Sequence, residues 1–227
     1  MATAVRWPVG IALTSWSYMW RTTPMHRVET AGSATDDAPP PLPPGIPGDE
    51  IQLPEHGAGP LFHRRYRTRI RGAQRSPEEH MALVSAKPDR VAPTEFASFQ
   101  KVLGDEECMA VGDEYVVRMP GPWDGPVRVV DVQPTSFRLV TLAGHLEAGQ
   151  IEFTARSEGD RVVFDIESWA RSGDRFSDLL YDRVRMAKEI QLHMWTSLLE
   201  RVARMAAGRI TGGIDIDTRR VDDAAPR

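Results

Sequence analysis

The feature that most constrains the fold is a change in the spacing of apolar residues about three quarters of the way along the chain. From residue 114 to 169 the spacing is two. Tyr115, Val117 and Met119 alternate with Glu114 and Arg118, and Phe137, Leu139 and Thr141 with Ser136 and Arg138. Ile151, Phe153 and Ala155 alternate with polar neighbours, and Phe164, Ile166 and Ser168 oppose Asp165 and Glu167. Such alternation describes strands with one buried face, and short Gly/Pro/Asp connections between them describe an antiparallel meander. From about 174 to 207 the step becomes three or four. Phe176, Leu180, Val184, Ala187, Ile190, Met194, Leu198, Val202 and Met205 then trace one stripe of a long helix. One face of the sheet must bury itself against that stripe. The expected class is α+β, a curved antiparallel sheet wrapped around a long C-terminal helix.

Upstream, Leu61 to Arg71 alternates as well, with Phe62, Tyr66 and Ile70 on one face and His63, Arg65, Arg67, Arg69 and Arg71 on the other. Two short helices follow this first strand. Ser76-Pro77-Glu78-Glu79 has the form of a capping box with Pro in the first turn. Thr94 suggests the start of the second, with Phe96, Phe99 and Leu103 inward and Gly104 at its end. Three zones result: 1–58, an aromatic arm and a Pro/Gly-rich extended segment; 59–210, the folded domain; and 211–227, a polar tail. Trp16, Tyr18 and Trp20 alternate like a strand laid on its own domain, and a partner-binding segment and a disordered tail are the other readings. Pro39, Pro40, Pro41, Pro43, Pro44, Pro47 and Pro54 enforce an extended path.

The order of elements is similar to the helix-grip fold of the START-like and birch-pollen-allergen-like superfamily. Within it, several stretches resemble an uncharacterised family, the domain of unknown function numbered nineteen-ninety. They are Gly59-Pro60-Leu61-Phe62-His63-Arg64-Arg65-Tyr66, Val111-Gly112-Asp113-Glu114-Tyr115, and Arg118-Met119-Pro120-Gly121-Pro122-Trp123-Asp124-Gly125-Pro126. Gly144-His145-Leu146-Glu147-Ala148-Gly149-Gln150-Ile151-Glu152-Phe153 and Ser168-Trp169-Ala170-Arg171-Ser172 belong to the same set. The resemblance implies a fold and no assigned chemistry.

A net charge of −4 gives no global pull toward nucleic acid. The basic strand face lacks the aromatic platforms that a nucleic acid strand stacks on, so a solvated face paired with acids of a neighbouring strand is expected. No run reaches the ~20 apolar residues that span a bilayer, so no membrane insertion is expected. Trp7 to Leu13, broken by Ser15, Ser17 and Arg21, does not read as a signal peptide. Cys108 is the single cysteine, which suits a reducing, cytoplasmic setting.

The favoured function is binding of a small apolar or amphipathic molecule between sheet and helix. Tyr66, Tyr115, Phe137, Phe153, Phe164, Ile190 and Met194 would supply apolar area, Gln191 orientation, and Trp123 a lid at the mouth. An alternative, implied by the resemblance, is an enzyme of the cyclase, dehydratase or hydrolase type with His145 and Glu152 as an acid–base pair, although the glycines around them favour a plain strand turn. A metal held by His145, Glu147 and Glu152 is the weakest reading, and no cofactor motif is present. Without a nucleophile elbow, phosphate loop or zinc motif the sequence leans away from an enzyme. It is silent on oligomeric state.

Overall fold

The structure is a computed structural model that describes residues 23–92, 97–118, 124–173 and 180–222, and the side chains of these except 180–190. In chain order the strands are β1 (Met25–Ala31), β2 (Ala58–Arg71), β3 (Ser98–Leu103), β4 (Glu114–Arg118), β5 (Asp124–Gln133), β6 (Ser136–Thr141), β7 (Glu147–Glu158), β8 (Arg161–Ser172) and β9 (Arg209–Val221). The helices are α1 (Pro77–Ala86), α2 (Pro88–Val91) and α3 (Leu180–Met205). All nine strands form one open sheet in the order β1-β9-β2-β8-β7-β6-β5-β4-β3. Only the β1–β9 pair is parallel.

One apolar cluster joins Ile214 and Ile216 of β9, Tyr66 and Ile70 of β2, and Phe164 and Ile166 of β8 to Phe153, Phe137, Val129 and Tyr115 of the next four strands. It also contains Trp195, Leu198, Leu199 and Val202 of α3. Neighbouring strands stand about 4.8 Å apart and a helix is about 10 Å across, so a single helix meets this many strands only if the sheet bends around it. The helix-grip architecture expected from the sequence is the one observed. Phe153 sits at the centre, stacked on Phe137 (centroids 4.6 Å) and edge-on to Trp195 (5.6 Å).

The outward apolar residues of β5 and β6 are covered by the proline-rich strap between β1 and β2. Leu42, Ile46 and Leu53 pack against Ile51, Val130, Val140 and Leu142. Polar side chains satisfy the strap's carbonyls, as a chain rich in proline cannot form its own ladder. Gln150 Nε2 donates to Pro40 O (3.1 Å), and Arg128 Nη1 donates to Pro47 O and Asp49 O (3.0 and 3.1 Å). The close strand packing under this cover fixes Gly149, where a Cβ would stand 2.0 Å from the Trp169 carbonyl oxygen.

Three local expectations are corrected. The capping box at Ser76 and Glu79 forms and starts α1. The second short helix, however, is the single turn α2 after Pro88, and the stretch containing Phe99 and Leu103 is β3, paired with β4. Tertiary pairing outweighs the helical spacing of Phe99 and Leu103 there. Residues 211–221, most of the expected polar tail, belong to β9, which is inserted between β1 and β2. Their own alternation, Ile214 and Ile216 inward against Asp215 and Asp217 outward, is a strand signal. Met25–Ala31 of the expected arm is also a strand. Trp7, Trp16, Tyr18 and Trp20 lie outside the described residues.

Candidate ligand site

Six of the residues expected to bind a ligand meet in the inner cluster. Tyr66, Tyr115, Phe137, Phe153, Phe164 and Met194 are each buried. Among the described residues, Tyr115, Phe137 and Phe153 line only a narrow crevice. The crevice bounded by Val84, Phe99, Tyr115, Phe137, Phe153 and Leu198 measures about 10 Å³, near the threshold for one water. The concavity is therefore packed at the end where α1 and α2 close over the C-terminal half of α3. Trp123 and the side chain of Ile190 lie outside the described residues.

Gln191 lies seven residues before Leu198, two helical turns or about 10 Å toward the other end. Here the inner face turns polar. Arg64, two residues from Tyr66 on the same face of β2, is buried and sits with its guanidinium 4.7 Å from the Phe62 ring. Its Nη1 donates to Gln191 Oε1 at 3.3 Å and stands 3.7 Å from Glu147 Oε1. Gln191 Nε2 in turn donates to Glu147 Oε2 at 2.5 Å. Sequence reading singled out Gln191 for this role and Glu147 only as a metal ligand, and it did not single out Arg64. The missed signal was an arginine at an inward position of an otherwise apolar strand face.

His145 and Glu152 are not brought together. His145 occupies the β6–β7 turn, where its Nδ1 accepts from the Glu147 amide (2.9 Å). Burial pushes its pKa down, against the opposing pull of Glu147, so the ring is held neutral as a turn lock. Glu152 alternates with inward Phe153 and so faces outward, with Arg138 and Glu167 as its cross-strand neighbours. Burial pushes its carboxyl pKa up, partly countered by Arg138. With Glu152 on the other face of the sheet, the ligands proposed for a metal do not converge either.

The outer basic face is paired as expected. Arg65 contacts Glu167 (2.5 Å), Arg67 Asp165 (2.6 Å), Arg69 Asp215 (2.7 Å) and Arg71 Asp160 (2.9 Å). Strand register puts arginines of β2 opposite acids of β8 and β9.

These features define a helix-grip fold, a bent and mostly antiparallel sheet around a C-terminal helix. Residues 90–201 match the model of the family that the sequence resembles, described as a domain of unknown function (DUF1990). No protein of curated function matches the chain. Among solved structures, the chain is similar to major latex-like protein 151 from Panax ginseng, with 10% identity and TM-score 0.46 over 64% of this chain and 97% of that one. It is also similar to norcoclaurine synthase from Thalictrum flavum, solved in complex with dopamine and hydroxybenzaldehyde. The values are 12% identity and TM-score 0.46 over 71% and 94% of the two chains. A conserved protein from Geobacillus kaustophilus matches with 11% identity and TM-score 0.42 over 65% and 98%. No described helix is long and apolar enough to cross a membrane.

Proposed function

We propose that the protein binds one small amphipathic molecule at the end of the concavity beneath the N-terminal half of α3. The polar head of the molecule meets Arg64, Gln191 and Glu147, and its apolar part lies along the inner sheet face. The observation that carries this reading is Arg64. A guanidinium has five donors and is costly to bury. The contacts it makes to Gln191 and Glu147, at 3.3 and 3.7 Å, are longer than the 2.7–2.9 Å of a charge-assisted hydrogen bond. An anionic or strongly accepting head group improves that balance. The exposed, unpaired thiol of Cys108 suits a reducing, cytoplasmic site of action.

The test uses the fluorescent probe 1-anilinonaphthalene-8-sulfonate, which joins an apolar body to an anionic head, on full-length protein freed of co-purified material. Native mass spectrometry supplies the stoichiometry. The expected result is saturable one-to-one binding that Arg64→Met weakens about tenfold, the loss of one charge-assisted contact, with the circular dichroism unchanged. Wild-type protein that shows no saturable binding overturns the proposal.

A further inference from the structure

A second concave feature lies on the opposite face of the sheet. It is a groove of about 220 Å³, below the 300–1,000 Å³ of pockets for larger ligands and suited to a small metabolite. Its floor is the indole of Trp169 and the imidazole of His63, stacked with centroids 5.1 Å apart. The strap forms one wall with Asp36 and Ala38, and β9 forms another with Asp217 and Arg219.

The strap wall is fixed in place. Asp37, next to Asp36, is almost fully buried and receives His63 Nδ1 at 2.7 Å and the Ser33 amide at 2.7 Å. The other nitrogen of His63 meets Glu167 at 2.6 Å. His63, Asp37 and Glu167 thus satisfy one another, which leaves the groove's binding capacity to other groups.

Those groups carry both signs. Arg219 reaches Asp37 only at 3.5 Å, with nearly half its side chain exposed. Arg65 gives Nη2 to Glu167, and its Nε is buried without a hydrogen-bond partner. Asp217 stands directly opposite Arg65 in register and has no ion pair or side-chain hydrogen bond among the described residues. Arg219 lies two residues further along the same strand face, about 7 Å away. A simple anion in the groove is repelled by Asp217 and Asp36, and a simple cation by Arg219 and Arg65. A molecule carrying both charged groups on one carbon satisfies all four.

We propose that this groove binds a small zwitterion of the α-amino-acid class. Its carboxylate meets Arg219 and Arg65, its ammonium meets Asp217 and Asp36, and its side chain lies against Trp169 and Ala38. The site is independent of the inner one.

The test is isothermal titration of the full-length protein with each proteinogenic α-amino acid. For any that binds, the amino-acid amide, the N-acetyl derivative and acetate are titrated in parallel. The expected result is one-site, saturable binding of at least one amino acid, with each single-charge analogue weaker by about tenfold or more. Arg219→Gln and Asp217→Asn each weaken binding about tenfold, and Arg64→Met leaves it unchanged. Both groove positions are outward and partly exposed, so melting curves close to wild type are expected. Absence of saturable binding by every amino acid overturns the proposal. So does equal binding of the analogues, or wild-type affinity in both groove variants.

Discussion

His63 Nδ1 lies 2.7 Å from Asp37 Oδ1, and that contact fastens the segment following β1 to the outer face of β2. Because Glu167 faces the other ring nitrogen at 2.6 Å, only the imidazolium, with two donors, satisfies both carboxylates. Burial opposes the charge on His63, but the bonds to Glu167 and Asp37 outweigh it and raise the pKa above its ordinary value. Burial pushes the carboxyls of Asp37 and Glu167 up, and their bonds to His63, with Ser33 and Arg65, bring both below the usual range.

The pH dependence of this clamp follows from those directions. The His63 contribution is complete below its unfolded pKa of about 6.5 and is lost as pH rises through the raised folded value. The carboxylate contributions are complete above about 4 and are lost as pH falls through their depressed values. His63→Ala is expected to cost about 2 kcal/mol near pH 6, and less as the solution is made alkaline. Denaturant unfolding across pH, with limited proteolysis at residues 38–50 as a local readout, measures both.

His80 has the opposite sign. It is buried in α1 with no partner on Nε2, and burial, with help from Arg75, pushes its pKa down. Its neutral form is the one the fold accepts, so stability falls as pH drops below about 6.5 toward the depressed value. His80→Leu removes an unsatisfied buried group. It is expected to raise stability by about 1 kcal/mol at neutral pH and to flatten part of the acid loss. Thermal melts between pH 5 and 8, the range in which an ordinary histidine titrates, check this.

Arg128 ties the strap to β5. It donates to Glu114 Oε1 from Nε and Nη2 and to two strap carbonyls from Nη1. Arg128→Met leaves the Glu114 carboxylate and both carbonyls without this donor. A loss of about 3 kcal/mol is expected, with faster amide exchange at residues 47–53. Hydrogen-exchange mass spectrometry resolves that segment from the rest of the sheet.

Gly104 follows β3 at φ +107°, and a Cβ there would stand 1.9 Å from Asp113 Oδ1. Asp113 in turn holds Lys101 Nζ at 2.6 Å and the Ala110 amide at 2.9 Å. Gly104→Ala is expected to cost about 2 kcal/mol or more and to expose Cys108 further. Chemical unfolding and the rate of thiol labelling give the two numbers.

The inner face of the sheet was legible because each of its strands alternates cleanly and α3 carries a continuous stripe. Tyr66, Phe137, Phe153 and Phe164 fall where that alternation puts them, and Met194 where the stripe does. Phe99 was misread because three apolar residues at helical spacing also suit an edge strand, and the partner that decides between them, β4, lies ten or more residues away. Arg64, Glu147 and Gln191 come from positions 127 residues apart at the extremes, so no local pattern joins them. The same holds for Asp37, His63 and Glu167.

The sequence by itself determined which residues alternate, where α1 starts and how the outer arginines face acids, because these follow from period, capping and strand parity over short stretches of chain. The tertiary structure decided the rest: that residues 209–221 slot between β1 and β2, that the proline-rich strap covers the outer face, and that the expected cavity is packed at one end. Each depends on which distant surfaces meet. Contact free energy between remote segments is set by shape and pairing in three dimensions, and local periodicity does not record it.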